Sequence, residues 1–363
     1  MTRKTNLKKA CAAYEKWLKK QIPYMKDDFS IKHQRMNESP FYFLRATFFR
    51  WCELWFFLGI EKKHHLTSSP RVLAVGDLHV ENFGTWRDAE GRLVWGINDF
   101  DEAYSMTYLF DLIRLATSIS LAGNRGALKI KSYKAFQALL SGYRAGLESG
   151  GLPFILEEKH EWLQQIAKKR LKEAPKFWSK LGTAIKSKKK IPTRVKKILK
   201  IYLPTKVNEI QFGHRIAGLG SLGRLRVVAL GQVDGGYIAR ETKPLTGSSY
   251  AWAAGETTAK LYYQQITKNA VRAQDPFLCF QKNWVVRRLS PHCCKIELAS
   301  LPAELDKVRL IDSMGWELAN VHLGSGKKAE ILRDLKSRNP RDLHQIVKDM
   351  IAITIEDWKA WKT

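Results

Sequence analysis

The sequence lacks a long uninterrupted apolar segment. Its most aromatic stretch, residues 41–60, contains Arg45, Arg50 and Glu53. These charges disfavour a membrane span, because ionisable side chains are costly inside a bilayer. The first residues, MTRKTNLKKACAAYEKW, contain no apolar core of the kind that a secretion signal needs. We therefore expect a cytoplasmic protein, with residues 41–60 forming an amphipathic helix.

Cysteine is also scarce. The chain has five cysteines, an odd number, and no CxxC pair. A disulfide framework or a cysteine-based zinc site needs paired and regularly spaced cysteines, so this pattern disfavours both and indicates a reducing compartment. We interpret Cys293 and Cys294, next to His292, as ordinary thiols near the end of a strand.

Acidic residues are few compared with basic ones. The chain contains 35 Asp and Glu against 62 Lys and Arg, which gives a formal net charge of +27. A field of that sign attracts phosphates, nucleic acids or anionic membranes without distinguishing them. Residues 168–200 hold fourteen Lys or Arg and one acid, Glu173. That stretch is either a solvated helical face with a basic loop or a contact surface for a polyanion.

Apolar residues are abundant enough for more than one core. They make up 45% of the 363 residues, and aromatics make up 11%. This composition is typical of a folded protein, and the length favours two lobes. The hydrophobic pattern is helical, then β-rich, then helical again. We predict an α+β protein with a helical larger lobe at 1–208, a small β-rich lobe at 209–295 and terminal helices at 296–363 that pack on the larger lobe.

Two short β-rich runs in the first lobe each end in acidic residues. The first, RVLAVGD, ends in Asp77, and the second, RLVWGINDFDEA, contains Asp99 and Asp101. Asp111 then opens a predicted helix. Two strands that end in carboxylates suggest a polar site where their ends meet.

The β-rich lobe has a different pattern. Residues 209–244 predict three short strands with glycine turns, and Asp234 begins a typical hairpin turn. Residues 249–267 predict one helix, and residues 277–291 predict a further pair of strands. Together they indicate a compact sheet with one helix.

Asp77 and Asn82 have the D-x-x-x-x-N spacing of a kinase catalytic loop. In such a loop the aspartate accepts the proton of the substrate hydroxyl, and the asparagine holds a magnesium ion on the phosphates. Asp99, seventeen residues after Asn82, is placed like the aspartate that binds the same metal. Oxygen ligands from separate loops suit Mg²⁺, which keeps several of its waters. The predicted site therefore has Asp77 as catalytic base and Asn82 and Asp99 as metal ligands.

Several neighbouring residues have two open interpretations. His79 contacts either the substrate phosphate as a catalytic residue or the backbone that holds the turn. Asp101 is a further candidate metal ligand, and Asp101 and Glu102 alternatively support the loop or cap a helix. Arg45 binds phosphate or pairs with a buried acid.

The β-rich lobe contains GLGSLG at residues 218–223, followed by a strand and then Lys243. A dinucleotide-binding fingerprint lies between a strand and a helix, but here RLRVVAL follows and is itself β-like. A glycine-rich hairpin over nucleotide phosphates has a strand on both sides and a lysine on the next strand. We predict that nucleotide phosphates contact the residues of this hairpin and Lys243, and that Glu256 orients Lys243, with Glu241 as a competitor. The candidate hairpin residues are Gly218, Gly220, Ser221 and Gly223. The alternative is that the glycines form ordinary turns and that Lys243 is a surface residue.

The segments GDLHVENFG at 76–84 and INDFDEA at 97–103 resemble the GDxHxxN and DFD signatures of aminoglycoside phosphotransferases, choline kinases and related enzymes. Asp111 in LFDLIRLA resembles a helix-opening aspartate of those enzymes. Val75 is a departure, because many of them have a histidine there. The resemblance implies a protein-kinase-like fold that uses ATP and Mg²⁺ to phosphorylate an unidentified hydroxyl-bearing substrate.

A second resemblance is to an uncharacterised bacterial family, domain of unknown function 2252. The segments SPFYFLRAT, GDLHVENFG, NDFDEA and GLGSLG are similar to its hallmarks. This resemblance covers most of residues 35–300. It supplies expectations about fold and motifs but names no substrate.

In kinases the glycine-rich loop precedes the catalytic loop, whereas here it follows by more than a hundred residues. A circular permutation of the two lobes explains this order, because an active site needs geometry rather than chain order. One nucleotide must then contact the hairpin, Lys243 and the metal ligands together. We therefore expect the Lys243 ammonium within roughly 10 Å of the Asp99 carboxylate.

Two other functions remain open at this point. GDLH followed by Asn82 is also similar to the start of a metallophosphoesterase motif, but that class needs further histidine motifs for two metals. The charge of +27 also suits a catalytically weak kinase-like module that binds a polyanion through residues 168–200. Phosphoryl and nucleotidyl transfer use the same metal and phosphate chemistry, so the sequence leaves both open.

Overall fold

The fold is described from a computed structural model of the chain. The described residues are 6–123, 130–158, 160–171, 174–186, 189–256, 260–293, 295–296, 301 and 304–363. Their structure is mixed α+β, which confirms the predicted class. Cys294, interpreted above as an ordinary thiol, lies outside these residues.

The first part of the chain is helical, as predicted. Its helices are α1 Leu7–Gln21, α2 Lys26–Met36, α3 Pro40–Ala46, α4 Phe48–Phe57 and α5 Ile60–Lys63. The Ser39 side chain accepts a hydrogen bond from the Tyr42 amide, and Pro40 occupies the first turn of α3, a position that suits its missing N–H. The single helix predicted over residues 41–60 is wrong. The structure breaks it at Thr47, whose φ of −125° and ψ of 43° are not helical.

Short strands surround the predicted acidic residues. They are β1 Arg71–Ala74, β2 Phe83–Arg87, β3 Leu93–Ile97, β4 Tyr104–Thr107 and β5 Phe154–Ile155. Strand β1 pairs with β4, and β2, β3 and β5 form a three-stranded sheet. The sequence predicted only two of these strands.

Long helices cover these strands and form the main core. They are α6 Tyr108–Gly123, α7 Ser132–Ser149, α13 Glu304–Leu323, α14 Lys328–Ser337 and α15 Pro340–Lys362. One apolar cluster joins α3, α4, α6, α7 and the helices of residues 304–363. The terminal helices thus pack on the helical part of the chain, as expected. In the part of the chain that the structure describes, no helix is both long and apolar enough to cross a membrane.

The β-rich part forms one antiparallel sheet. Its strands are β6 Asn208–His214, β7 Val227–Val233, β8 Gly236–Pro244, β9 Cys279–Gln281 and β10 Trp284–Leu289, in the order β6-β7-β8-β10-β9. The predicted hairpin turn is confirmed, because Asp234 and Gly235 have φ of 49° and 80° between the paired β7 and β8. The single helix predicted over residues 249–267 is wrong. Helix α11 Ser249–Ala253 ends near Gly255, whose φ is 80°, and α12 Tyr263–Asn269 is separate.

Three helices precede this sheet: α8 Glu161–Leu171, α9 Ala174–Ile185 and α10 Thr193–Ile201. Helix α9 packs against Val228 and Leu230, whereas α10 packs against Val227 and Ala229. Because successive strand residues point to opposite faces, α9 and α10 cover the two faces of the sheet. The described basic residues of the 168–200 stretch lie on these helices and in the segment between α9 and α10, and most of them are exposed.

Glu317 is a buried acid between α13 and β3. Its Oε1 accepts a hydrogen bond from the Ile97 amide at 3.1 Å, and its Oε2 accepts one from Asn320 Nδ2 at 2.9 Å. Burial, partly offset by Arg272, raises the pKa of Glu317 from 4.5 to about 7. The folded state therefore holds a proton that the unfolded state releases. The contribution of Glu317 to the free energy of unfolding is fully present below pH 4.5 and is lost as the pH rises through about 7.

We expect Glu317→Gln to abolish this loss, because the amide has the same shape and no charge. The shift of about 2.5 pKa units corresponds to roughly 3 kcal/mol between pH 4.5 and pH 8. Urea unfolding of parent and variant across this range measures the effect, and the exposed Glu90→Gln is the control. A difference in unfolding free energy between parent and variant that stays constant with pH contradicts the assignment.

Candidate functional site

A cavity of about 270 Å³ lies where the five-stranded sheet faces the loops of the helical part. Its lining includes residues of α2 and α3, the loops after β1 and β3, and the connection between β6 and β7. Eight predicted site residues line it: Asp77, His79, Asn82, Asp99, Asp101, Gly218, Gly220 and Ser221. Segments more than a hundred residues apart in sequence therefore share one cavity.

The backbone that carries Asp77 is held by a buried aspartate. The amides of Val75 and Gly76 donate to the two carboxylate oxygens of Asp111 at 2.6 and 2.9 Å. His322 Nε2 lies 3.1 Å from Asp111 Oδ2. Asp111 lies in the first turn of α6, which begins at Tyr108 rather than at Asp111 as predicted. Its carboxylate thus positions the backbone of the loop that contains Asp77.

Asp77 points into the cavity with an arginine behind it. Its Oδ1 accepts a hydrogen bond from Arg114 at 2.6 Å. On the other side, a Cβ at Gly220 would lie 3.3 Å from Asp77 Oδ2, so the glycine segment reaches the carboxylate. Burial raises the pKa of Asp77, while Arg114 and Arg45 oppose that rise. A carboxylate with a raised pKa is a better proton acceptor, which suits a general base.

His79 supports the backbone of its own loop. The Glu81 amide lies 3.2 Å from its Nδ1, and Arg45 Nε lies 3.4 Å from its Nε2. Burial and the neighbouring Arg45 and Lys295 hold the pKa of His79 well below its ordinary value. A neutral imidazole accepts through only one nitrogen, and the shorter contact assigns that role to Nδ1. His79 therefore caps the turn over Val80–Asn82, and it also lines the cavity.

Lys243 on β8 meets the acids that follow β3. Its Nζ lies 3.2 Å from Asp99 Oδ1 and 2.5 Å from Asp101 Oδ2. The first distance is well inside the expected limit of roughly 10 Å. The Lys243 side chain is buried at 2% exposure, whereas the Asp99 side chain is 37% exposed. The lysine thus comes from the sheet side, and the carboxylate of Asp99 opens toward solvent.

The two aspartates titrate in opposite directions. Burial alone would raise the pKa of Asp99, but Lys243 and then Arg287 lower it below its ordinary value. Burial and the charge of Asp99 raise the pKa of Asp101, with Lys243 and Arg224 opposing. Two close carboxylates share one ammonium, so the more exposed one stays ionised.

Asn82, Asp99 and Asp101 supply oxygen atoms suited to Mg²⁺. Asn82 Nδ2 donates to the Asp77 carbonyl at 2.9 Å, which turns its amide toward the loop. Asp101 Oδ1 is buried without a hydrogen-bond partner, a condition that a cation or a water would relieve. Among the described residues, no group of three or more His, Cys, Asp or Glu side chains is arranged to hold a metal. A metal here would therefore depend on oxygens of a substrate.

The glycine segment, residues 218–223, is held in place by contacts with the sheet and with the helical part. It connects the paired strands β6 and β7 and contains a short 3-10 turn, Leu219–Ser221. Leu219 and Leu222 pack into an apolar cluster with side chains of α1 to α4. Ser221 Oγ accepts a hydrogen bond from Arg226 at 2.6 Å. The expected strand, turn and strand are present, and the turn is held against the helical part.

Glu241 gathers arginines rather than orienting Lys243. Its carboxylate contacts Arg226 at 2.5 Å, Arg215 at 2.6 Å and Arg287 at 2.8 Å, and all three arginines line the cavity. Burial is outweighed by these arginines, which hold the pKa of Glu241 well below its ordinary value. The buried carboxylate of Glu241 therefore holds three guanidinium groups in fixed positions at the cavity wall.

Glu256 does not orient Lys243 in this structure. It is exposed, and its carboxylate accepts a hydrogen bond from the Tyr104 hydroxyl. The prediction treated residues 249–267 as one helix with Glu256 on its inner face. The end of α11 near Gly255 removes that face, so Asp99 and Asp101 take the place of the expected glutamate.

Several polar residues of the site were missed in the sequence. Arg114 and Lys32 are buried at 0% and 5% exposure, and Arg224 bonds to Glu102 at 3.0 Å. Arg114 is the one basic residue in the apolar run LFDLIRLATSIS. Its burial was predictable from that position, and a buried charge needs a partner. Lys32 gave no such signal, since lysine is common on amphipathic helices.

Arg45 pairs with an acid and also lies at the cavity wall. Its NH1 pairs with Glu81 Oε2 at 2.9 Å, and its side chain lines the cavity. Nine Lys or Arg residues line the cavity against six Asp or Glu. The cavity is therefore cationic overall, and an anionic ligand suits it.

Comparison with known proteins agrees with part of the expected resemblance. Residues 25–201 match the profile of a family described as uncharacterized protein conserved in bacteria (DUF2252). Asp77, Asn82 and Asp99 fall within that match, whereas the glycine segment and Lys243 lie beyond it. No curated protein and no solved structure matches the chain.

Proposed function

We propose that the protein is a phosphotransferase that moves a phosphoryl group from ATP to a hydroxyl-bearing acceptor. One observation carries the proposal: the catalytic-loop residues Asp77 and Asn82, the acid Asp99 and the glycine segment converge on one cavity. Phosphoryl transfer depends mainly on positioning and on neutralising charge, and such a convergence provides both.

The sheet would hold the nucleotide. Its glycine segment joins two antiparallel strands, and Lys243 follows on the third strand, which is the arrangement used over nucleotide phosphates in kinases. Arg226 and Arg287, fixed by Glu241, add cations along the same wall. Under this proposal the two parts of the chain are kinase lobes in permuted order, with residues 1–208 preceding the β-rich lobe.

Asn82 and Asp99 would hold Mg²⁺, with Asp101 as a further oxygen donor. When bound, the ion neutralises charge on the phosphates. Asp77 then faces the acceptor hydroxyl and takes its proton, while Arg114 keeps its carboxylate oriented. The raised pKa of Asp77 favours this proton transfer.

A metallophosphoesterase is less well supported. A two-metal centre needs several histidine and acidic ligands around both ions, and the described part of the chain has no group of three such side chains that would hold one. A polyanion contact through residues 168–200 remains compatible with the phosphotransferase. None of the described residues of this stretch lines the cavity.

Nucleotide binding tests the proposal directly. We expect ATP with Mg²⁺ to raise the melting temperature of the protein, since a ligand that binds only the folded state stabilises it by mass action. At a hundredfold excess over Kd the gain is about 2.7 kcal/mol. AMP should give a much smaller shift, because it lacks the phosphates that the lysine and arginines would contact. Equal shifts with AMP and Mg-ATP, or none with either, contradict the proposal.

A further inference from the structure

Lys32 is a buried cation to which none of the described residues offers an ionic partner. It lies on α2, is 5% exposed and lines the cavity. Its Nζ donates one hydrogen bond, to the Gly220 carbonyl at 3.3 Å. Across the described ranges, no carboxylate oxygen lies within the 4.0 Å of an ion pair with this ammonium.

Such an arrangement is unfavourable in a protein that binds nothing there. An ammonium group has three donors, and only one of them is satisfied here. Burial and the nearby Arg224 lower the pKa of Lys32 to about 8, while Glu15 and Asp77 act in the opposite direction from farther away. Besides the Gly220 carbonyl, the ammonium has the Phe29 ring, whose centroid lies 5.9 Å from Nζ. Buried charges are normally paired, so an anion suits this position.

The position of Lys32 identifies where that anion would lie. Its ammonium contacts Gly220, and a Cβ at Gly220 would lie 3.3 Å from Asp77 Oδ2. An anion on Lys32 would thus lie beside the proposed catalytic base. Helix α2 belongs to neither the sheet nor the catalytic loop, so it contributes a third wall to the site.

We propose that Lys32 forms, with the glycine segment and next to Asp77, a subsite for a dianionic phosphate group. The group is either the terminal phosphate of the nucleotide or a phosphate carried by the acceptor. Its role in transfer depends on the proposed function, whereas the binding of phosphate does not.

Lys32→Met tests the subsite, because methionine keeps the length of the side chain and removes the charge. Lys26→Met is the matched control, since Lys26 lies exposed on the same helix. We expect Lys32→Met to raise the melting temperature of the unliganded protein by about 2 °C or more, because it removes an unpaired buried charge. Phosphate binding should weaken about ten- to hundredfold, the range for one hydrogen-bonded charge. Lys26→Met should change neither the melting temperature nor the affinity for phosphate.

Three titrations distinguish the two sources of phosphate: a non-hydrolysable ATP analogue with Mg²⁺, ADP with Mg²⁺, and inorganic phosphate added to the ADP complex. If the terminal nucleotide phosphate occupies the subsite, Lys32→Met weakens the binding of the ATP analogue and leaves the binding of ADP unchanged. If the acceptor phosphate occupies it, both nucleotides bind the variant as they bind the parent. Inorganic phosphate then stabilises the parent complex and not the variant complex.

The subsite and the proposed function can fail separately. Unchanged affinities of Lys32→Met in all three titrations overturn the subsite, even if the parent binds Mg-ATP. Lys32-dependent binding of inorganic phosphate without any nucleotide binding supports the subsite and overturns the proposed function. A variant that is less stable than the parent and binds phosphate equally well assigns Lys32 a structural role and also overturns the subsite.

Discussion

Asp77→Asn is expected to lower turnover of Mg-ATP and acceptor by about 10²- to 10⁴-fold, the usual contribution of a general base. The asparagine retains an oxygen for Arg114, so the loop keeps its geometry, but it no longer accepts a proton. Nucleotide affinity should stay nearly unchanged, because the contacts proposed for the phosphates lie elsewhere. Single-turnover rates and nucleotide titrations on the same preparations separate the two effects.

Asp88→Asn is the control for this substitution. Asp88 pairs with Arg92 at 2.8 Å but lies outside the cavity lining, so Asp88→Asn makes the same change to an arginine-paired carboxylate away from the site. The pH dependence gives a second check. Parent turnover should fall as the pH drops through the raised pKa of Asp77, and Asp77→Asn should lack that decline. A variant within about tenfold of the parent rate shows that Asp77 has another role.

The second large effect is expected for Asp99→Ala. Its carboxylate is the more exposed of the pair near Lys243, and that lysine lowers its pKa, so it remains ionised and available to a cation. Removing it should weaken ATP binding in the presence of Mg²⁺ by about 10- to 100-fold or more, judged from the effect of disturbing metal-ligand shells. Asp101 still pairs with Lys243, so the lysine stays neutralised.

Binding of ATP without Mg²⁺ provides the internal control for Asp99→Ala. If Asp99 holds the metal, parent and variant should differ strongly with Mg²⁺ and little without it. Calorimetric titrations with and without the ion, for parent, Asp99→Ala and Asp88→Ala, measure this difference. An equal loss under both conditions would show that Asp99 acts through Lys243 rather than through a metal.

Much of the site was predictable because it follows local rules. Asp77 and Asn82 are five residues apart in one loop, so their spacing alone places both at the same end of a strand. Lys243 lies on the second strand of the hairpin that follows the glycine segment. The β-rich pattern of the sequence predicted that strand. The acids around residue 99 come directly after a buried strand, where the chain must turn and polar side chains are available.

The partners of these residues were less predictable. The sequence suggested Glu256 or Glu241 for Lys243, but the structure pairs Lys243 with Asp99 and Asp101. Helix α11 ends early because the backbone at Gly255 takes a left-handed conformation, which no periodicity count registers. Ion pairing is decided by distances across the fold, so a motif identifies the members of a site but not their contacts.

The sequence by itself determined that this protein is a mixed α+β chain with excess positive charge, with Asp77, Asn82 and Asp99 at the ends of short buried segments. These properties depend on composition, spacing and periodicity, which are local. Only the tertiary structure decided that Glu241 pairs with three arginines and that buried Lys32 contacts Gly220 and, among the described residues, no carboxylate. Burial and pairing depend on residues that are distant in sequence, and packing alone determines which of them meet.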